Sequence, residues 1–439
     1  MGAAWRLHER GYRNWVLYEV APHAGGLASS VVDARGFTWD LGGHVLFSHY
    51  PYFDDVMGKA LGDAWVEHIR EAWVWMRDRW IPYPFQNNVW RLPEPELQAC
   101  LDGLEALQGQ TRGIPKTFRD WLLASFGAGI CDSFLFPYNR KVWAYDPSAL
   151  NVGWMGERVA TVDLNRIREN VRLQRDDVSW GPNSTFRFPL HGGTGAIWRA
   201  VSAMLPASQQ HFGCALTSVD VARKAITTSS GDVVPYDVLI STMALDDLLQ
   251  TLAGRPDLTA RAGEFVYSSS HIVGVGLTGT PPGDLKTKCW IYFPESRVPF
   301  YRATVFSNYS PNNVPTDRPH WSLMAEVAES AEKPVNMATV VQEVVDGLTS
   351  CRFIEPSAVV STWHRRLEHG YPTPWLGRDA VLNSIHAELD AMQILSRGRF
   401  GAWKYEVSNQ DHSFMQGVEA VNRLVDGERE RTFLAEIAN

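Results

Sequence analysis

Positive charge is in deficit along this chain: 41 Lys and Arg stand against 49 Asp and Glu, a net charge of -8 at pH 7. That balance argues against a nucleic-acid or anionic-membrane surface and leaves room only for a local basic pocket. Cysteine is scarce. The five (Cys100, Cys131, Cys214, Cys289, Cys351) are odd in number and widely scattered, with no CxxC pair and no His cluster at ligand spacing, so neither a disulfide framework nor a structural metal is expected. A reducing, cytoplasmic setting fits. No apolar run reaches the length of a membrane span, and the start lacks the charged, apolar and cleavage regions of a signal peptide. No G-x-S-x-G elbow, HExxH pair or Walker loop occurs, so hydrolase and phosphotransferase readings lose support. Internal repeats and low-complexity tracts are absent as well.

A further absence stands at the beginning. GAAWRLHERGY reads as a short helix ending in Gly, and WVLYE after it as a short buried strand closed by an acid, Glu19. Together they are the second half of a βαβ dinucleotide-binding unit. In a complete unit a strand and G-x-G-x-x-G come first, so that the helix N-terminus receives a pyrophosphate while the terminal acid holds a ribose hydroxyl. Neither precedes Gly2 in this sequence. Glu19 suits that ribose role and suits equally a solvated strand end.

What is present is a chain of 439 residues, enough for about two or three domains with a sizeable core. Hydrophobic residues at 45% and charged residues at 21% are ordinary globular values, and the one excess is 18 Trp. Most Trp belong in a core, yet several lie in loops beside Asn, Arg and Tyr, as in a pocket for a flat polar ligand. Two glycine pairs, Gly25-Gly26 and Gly42-Gly43, flank a short extended piece and allow close backbone approach to a ligand. HIREAWVWMRDRWIPYPF reads as a hairpin, and from about Leu92 to Leu173 the pattern turns helical. A second glycine turn leads into GAIWRAVSAMLP, a hairpin turns at SSGD, and DVLIST reads as a buried strand. Strand patterns then dominate from His271 to Glu326, two helices surround AVVSTWHRR, and a glycine-containing loop feeds a final helix.

The expected fold class is α/β: a Rossmann-like dinucleotide-binding domain, N-terminally truncated, with an inserted helical domain and an antiparallel β-sheet domain. The expected boundaries are 1–64, 180–265 and 393–439 for the first, 86–179 for the second, and 65–85 with 266–392 for the third. Arg158, Arg187, Arg302 and Arg399 lie among apolar or aromatic residues. Arg is rarely buried without an anion, which can be an internal carboxylate or a bound phosphate, and both stay open for each. Tyr292, Tyr309, Tyr371 and Tyr405 add hydroxyl donors in similar company. His44, after the second glycine pair, reads as either a structural or a catalytic residue.

Taken together, GGLASSVVDARGFTWDLGGHVLFSHYPYFDD, RWIPYPFQNN, FPYNRKVWAYDP, WMGERVA, WGPNSTFRFPLHGGTGAIW, KCWIYFPESRVPFYRATVFSNYSP, HRRLEHGYPTP and RFGAWKYEVSNQDHSFMQGVEA resemble the UDP-galactopyranose mutases, most closely their eukaryotic, fungal-like branch. These stretches span nearly the whole chain in order. The resemblance implies interconversion of UDP-galactopyranose and UDP-galactofuranose on noncovalent FAD that must be reduced, with N5 of the flavin attacking the anomeric carbon to give a flavin-sugar adduct. NADPH is the implied reductant, UDP-galactose the substrate, and a homo-oligomer the implied assembly.

Residue by residue, the resemblance makes His44 the mobile-loop histidine over the flavin. It puts Arg158 and Arg302 on the diphosphate, helped by Tyr292, Tyr309, Tyr371 and Tyr405. Tyr83, Phe85, Gln86, Asn139 and Trp143 form the implied uridine pocket, and Asn183 and Trp290 border the galactose. Gly25, Gly26, Leu27, Ser29, Gly42, Gly43, Arg399 and Gln410 line the implied FAD site, with Glu19 on its ribose. Two departures stand out. The first strand and G-x-G-x-x-G loop of the family are absent, because Gly2-Ala3-Ala4 aligns just after that loop, and SPNNVPTDRPHWS replaces a longer surface insertion. The expectation is a truncated reading of a longer chain, with weakened FAD binding and two exposed ladder edges. The alternatives are a flavin-free binder of nucleotide sugars and an amine-oxidase-like flavoprotein, the latter disfavoured because an amine offers the Arg and Tyr set no anion.

Overall fold

The pattern in HIVGVGL predicts a strand from about His271, and the strand that forms, Tyr267–Thr278, starts earlier and is buried along nearly its whole length. The structure is a computed structural model that describes residues 1–109, 113–155, 162–178 and 184–435. The strand Tyr267–Thr278 lies between Val359–Pro372 and His320–Glu329, antiparallel to both. Beyond His320–Glu329 the sheet continues through Arg302–Val305, Trp290–Tyr292, Ala72–Met76 and Arg79–Pro82, seven strands in all. The only parallel pair in that sheet joins Trp290–Tyr292 to Ala72–Met76. Ala72–Met76 and Arg79–Pro82 are the expected hairpin, closed by Arg77 and Asp78 at φ 53° and 52°, the mirror-image turn that follows strand twist.

Period-two alternation gives this sheet two different faces. Val273, Val275, Leu277, Leu323, Ala325 and Val327 join one core cluster with Val340, Val344 and Leu348 of the helix Val340–Ser350. The opposite face carries Gly274 and Gly276, and there the short strand Thr38–Asp40 packs. A Cβ on Gly274 would stand 2.5 Å from the Trp39 ring, and one on Gly276 2.7 Å from the Phe37 ring. The two glycines thus make the flat bed on which these aromatics lie.

Helices Glu94–Glu105, Phe118–Ile130, Phe136–Trp143 and Leu164–Leu173 form the helical region. Phe85, Leu97, Leu104, Phe118, Leu122, Phe126, Phe134 and Ile167 fill its core. Thr117 and Asp120 close a capping box at the start of the second of these helices, satisfying two of its otherwise unpaired N–H groups. Strand Trp65–Ile69 stands outside the large sheet and pairs antiparallel with Thr185–Pro189, linking segments that the sequence assigns to different regions.

The remaining region is built around two short parallel pairs, Leu17–Glu19 with Gln210–Phe212 and Leu239–Ser241 with Ile394–Ser396. WVLYE and DVLIST read as buried strands, and here the structure corrects the reading. Leu17–Glu19, Leu239 and Ile240 are only half-buried, because each strand has one paired neighbour among the described residues and also borders a cavity. Helix Gly2–Glu9 crosses the long helix Gln410–Asp426 at glycines of both. A Cβ on Gly2 would stand 2.0 Å from the Phe414 carbonyl oxygen, and one on Gly417 2.6 Å from the Ala3 nitrogen. Buried Asp40 takes hydrogen bonds from the Ser30 hydroxyl at 2.5 Å and the Thr194 N–H at 3.1 Å, beside the start of helix Gly195–Ala203. Among the described residues no helix is long and apolar enough to cross a membrane.

Candidate active site

The glycine-bearing face of the large sheet floors a cavity of about 1920 Å³. Strand alternation selects what faces it: Ser270 and Ile272, Trp290 and Tyr292, Arg302 and Thr304, then Glu326. Gly25–Ala28 and Leu41–Val45 make one wall. Gly398–Phe400, Tyr405 and the start of helix Gln410–Asp426 make another. The cavity extends past Glu19 and between the two parallel strand pairs.

Arg302 is the floor's cation, and sheet register decides its partner. Arg302 and Glu326 stand directly opposite each other on neighbouring strands. The guanidinium donates through Nε and Nη2 to Oε1 and Oε2 of Glu326 at 2.7 and 2.8 Å. Glu326, 3% exposed, also accepts the Tyr301 hydroxyl at 2.8 Å. Burial favours the neutral acid, but the Arg302 charge and these hydrogen bonds outweigh it and hold the Glu326 carboxyl below its usual range. An Arg open to both readings therefore has an internal anion as well as a place in the cavity. Arg187 has an internal partner too, Glu67 at 3.1 Å.

Gly43 lies on this ion pair. A Cβ there would stand 2.9 Å from Glu326 Oε1 and 3.1 Å from Arg302 Nη2. His44 follows at the cavity wall, its Nδ1 buried without a hydrogen bond to any described residue. Burial, seconded by Arg399 and Arg302 and opposed by Glu326, brings the His44 pKa down to about 4. The imidazole is neutral at pH 7. Arg399 donates to the Ser408 hydroxyl at 2.8 Å and the Gly370 carbonyl at 3.0 Å, and its guanidinium lies 5.0 Å from the Tyr371 ring centroid.

Tyrosines surround the same end. The Tyr83 and Tyr292 rings are 5.0 Å apart, those of Tyr371 and Tyr405 5.8 Å, and Trp290 Nε1 donates to the Tyr292 hydroxyl at 2.6 Å. Burial raises the pKa of Tyr83, Tyr292, Tyr309 and Tyr371, so these phenols stay protonated donors. The Ser270, Thr304 and Tyr309 hydroxyls are buried without a hydrogen-bond partner among the described residues. Buried polar groups without partners point to a polar ligand or water.

At the far end Glu19 accepts the Ala21 N–H at 2.8 Å, and Gly25 and Gly26 adopt φ 128° and 54°, conformations that only glycine takes freely. Gln410 opens the 17-residue helix; its Oε1 accepts the Trp198 indole N–H at 2.9 Å while its Nε2 is buried without a partner among the described residues.

The fold thus brings Glu19, Gly25, Gly26, Leu27, Gly42, Gly43, His44, Tyr83, Trp290, Tyr292, Arg302, Tyr309, Tyr371, Arg399, Tyr405 and Gln410 to one cavity. The other sequence candidates stand elsewhere. Phe85 is packed in the helical core against Phe134 with ring centroids 4.6 Å apart, and Gln86 is buried beside it. Asn139 returns its amide to the Leu135 carbonyl at 2.8 Å within its own helix. Trp143 is buried behind Tyr371 and Tyr405, at 5.8 and 4.9 Å between centroids, and Ser29 is buried beneath Gly25. Arg158 and Asn183 lie outside the described residues.

Sequence reasoning missed Glu326, Ser270 and Thr304. Glu326 left a signal: an acid within WSLMAEV, a strand otherwise apolar, needs a buried partner. Single hydroxyls in apolar strands leave none, since Ser and Thr are common there.

Comparison with known proteins places this cavity in context. A family model described as "Flavin containing amine oxidoreductase" matches residues 1–373. A crystal structure of reduced UDP-galactopyranose mutase is 51% identical with a TM-score of 0.96, covering 98% of this chain and 93% of that one. A protein described as a protoporphyrinogen oxidase from Exiguobacterium sp. 255-15 is 15% identical with a TM-score of 0.69, covering 97% and 96%. A fatty acid isomerase from P. acnes is 13% identical with a TM-score of 0.62, covering 97% and 96%. The last two likenesses concern the fold alone.

Proposed function

The chain belongs to the flavin-containing amine oxidoreductases and, within them, to the UDP-galactopyranose mutases, and from that premise we propose that it is an FAD-dependent isomerase interconverting UDP-galactopyranose and UDP-galactofuranose. The observation that carries this reading is the convergence of Arg302, Arg399 and the phenols of Tyr292, Tyr309, Tyr371 and Tyr405 at one end of a cavity whose other end carries Glu19, Gly25 and Gly26. Cations and phenol donors suit a diphosphate.

The residues present fit FAD. The Gln410 Nε2, without a partner among the described residues, the two positive-φ glycines beside Glu19 and a volume above the ~300–1,000 Å³ of ordinary ligand pockets leave room for a dinucleotide and a nucleotide sugar together. When bound and reduced, the flavin supplies the nucleophile for the anomeric carbon. This chain's residues hold the reactants in register. Glu19 takes the FAD ribose; Gly25, Gly26, Leu27, Gly42, Gly43, Arg399 and Gln410 border the cofactor, with Ser29 bracing the first glycine turn. Neutral His44 offers one donor and one acceptor beside it. Arg302, Arg158 and the four tyrosines grip the diphosphate, holding the leaving UDP where it can return. Trp290 and Asn183 border the galactose. Tyr83 faces the uridine end, backed by Phe85, Gln86, Asn139 and Trp143.

The finer reading is a member of the eukaryotic, fungal-like branch, reduced by NADPH, working in the cytoplasm as a homo-oligomer, with domain boundaries as read from the sequence. An amine substrate is disfavoured, since it would place a cation beside Arg302 and Arg399.

The test is direct. The purified chain is supplied with FAD, reduced with dithionite or NADPH, and given UDP-galactofuranose, with product followed by chromatography. Appearance of UDP-galactopyranose supports the reading. A chain that holds reduced flavin, by its visible spectrum, and leaves the sugar unchanged overturns it.

A further inference from the structure

The loop carrying His44 runs from strand Thr38–Asp40 to helix Pro51–Leu61. It is tied to the rest of the fold on both sides of Phe47. On one side Leu46 and Arg187 exchange backbone hydrogen bonds at 3.0 and 2.8 Å. On the other, a single carboxylate oxygen takes hold of His49: Asp411 Oδ2 accepts the His49 backbone N–H at 3.0 Å and lies 2.7 Å from its ring Nδ1.

Asp411 is wholly buried, and it is the second residue of the helix whose first residue, Gln410, borders the cavity. Its other oxygen makes no hydrogen bond to any described residue and lies 3.5 Å from His412 Nδ1. The His412 and His49 rings stack at 4.8 Å between centroids. A buried carboxylate is costly unless its charge is compensated, and a helix N-terminus is a place that tolerates it. The two bonds from His49 turn that tolerated anion into an anchor for the loop.

We infer that Asp411 is a positioning residue which, through His49, fixes where His44 stands at the cavity wall, next to the Gly43 that lies on the Arg302–Glu326 pair. The inference rests on the reading of the cavity as the active site and does not depend on the sugar being galactose. The anchor links the helix end beside the cofactor wall to the loop beside the reacting centre. Loss of either partner frees the stretch from Phe47 to Tyr50 and leaves the Leu46–Arg187 bridge as the one tie nearer His44 among the described residues, so that the slack reaches His44 by straining that bridge.

The test uses the FAD-loaded protein with Asp411→Asn, Asp411→Ala, His49→Ala and the double variant. His49→Ala changes a solvent-facing ring and guards against misfolding of the Asp411 variants. The expected result is a kcat at least tenfold lower in each single variant, with the KM for UDP-galactofuranose within threefold, and a double variant no worse than either single one, because both act on one anchor. A second readout needs no turnover: the His44 signal in histidine NMR, assigned with His44→Gln, titrates near 4 in the parent. Freed from its buried place at the cavity wall, with Arg399 and Arg302 as the lesser influences, it moves toward the ordinary His range of about 6.5. Folded variants with parental kcat and a His44 still titrating near 4 overturn the inference. Failure of the parent to convert the sugar, with the NMR shift intact, would count against the mutase reading alone.

Discussion

Arg302 and Glu326 face each other across two neighbouring strands and share two hydrogen bonds of 2.7 and 2.8 Å, so the floor of the cavity is an ion pair rather than a lone cation. Removing one member of a buried pair typically costs about 3–5 kcal/mol, since the other is left uncompensated. Glu326→Gln is expected to lower the Tm by several degrees and to leave the guanidinium seeking an anion. Saturating UDP should then raise the Tm of the variant more than that of the parent, because the diphosphate supplies the missing charge. Equal UDP-induced shifts in both proteins would contradict this.

Gly43 is expected to tolerate no side chain. An added methyl would lie 2.9 Å from Glu326 Oε1 and 3.1 Å from Arg302 Nη2, and either the loop or the ion pair must move. Gly43→Ala should reduce kcat/KM by about tenfold or more, since a 1 Å misplacement at a reacting centre can cost about a hundredfold. Steady-state kinetics on the FAD-loaded protein check it.

His44 makes stability depend on pH with a defined sign. Its pKa is about 4 in the folded chain, mainly through burial, against about 6.5 unfolded, so below pH 6.5 the unfolded state binds more protons. Stability from this residue is full above about pH 6.5 and is lost as pH falls toward 4, by about 2 kcal/mol at pH 5. Urea unfolding at pH 5 and pH 7 should show a smaller difference in His44→Gln than in the parent.

Asp40 acts in the opposite sense. Burial lifts its carboxyl to about 6 despite hydrogen bonds from Ser30 and Thr194. Its contribution is full below the unfolded value of about 4 and is lost as pH rises through 6. Asp40→Asn keeps one acceptor oxygen and cannot ionise, so its stability relative to the parent should improve from pH 4 to pH 8 in the same unfolding series.

Gly274 is expected to report on the seating of the Thr38–Asp40 strand. A Cβ there would stand 2.5 Å from the Trp39 ring, which is wholly buried and has no room to yield. Gly274→Ala should cost about 1–3 kcal/mol by overpacking, seen as a lower urea midpoint with little change in slope.

The sequence by itself determined the local elements and the list of chemically able residues. Period-two and helical patterns marked the strand around HIVGVGL, though not its start at Tyr267, the Ala72–Pro82 hairpin and the helices from Glu94 to Leu173, and the glycine pairs marked where backbone could approach a ligand. These signals are short-range, since a side chain's periodicity and a glycine's φ depend on a few neighbours. Tertiary structure decided which candidates meet. Arg302 finds Glu326 across 24 residues through strand register, and His49 finds Asp411 across 362 through the seating of the last helix. Phe85 and Trp143, equally aromatic in sequence, went to the core behind Tyr83, Tyr371 and Tyr405. WVLYE and DVLIST, equally apolar to any other buried strand, ended half-buried at the cavity's edge. No local pattern encodes such outcomes, because burial and pairing are set by what the rest of the chain brings alongside.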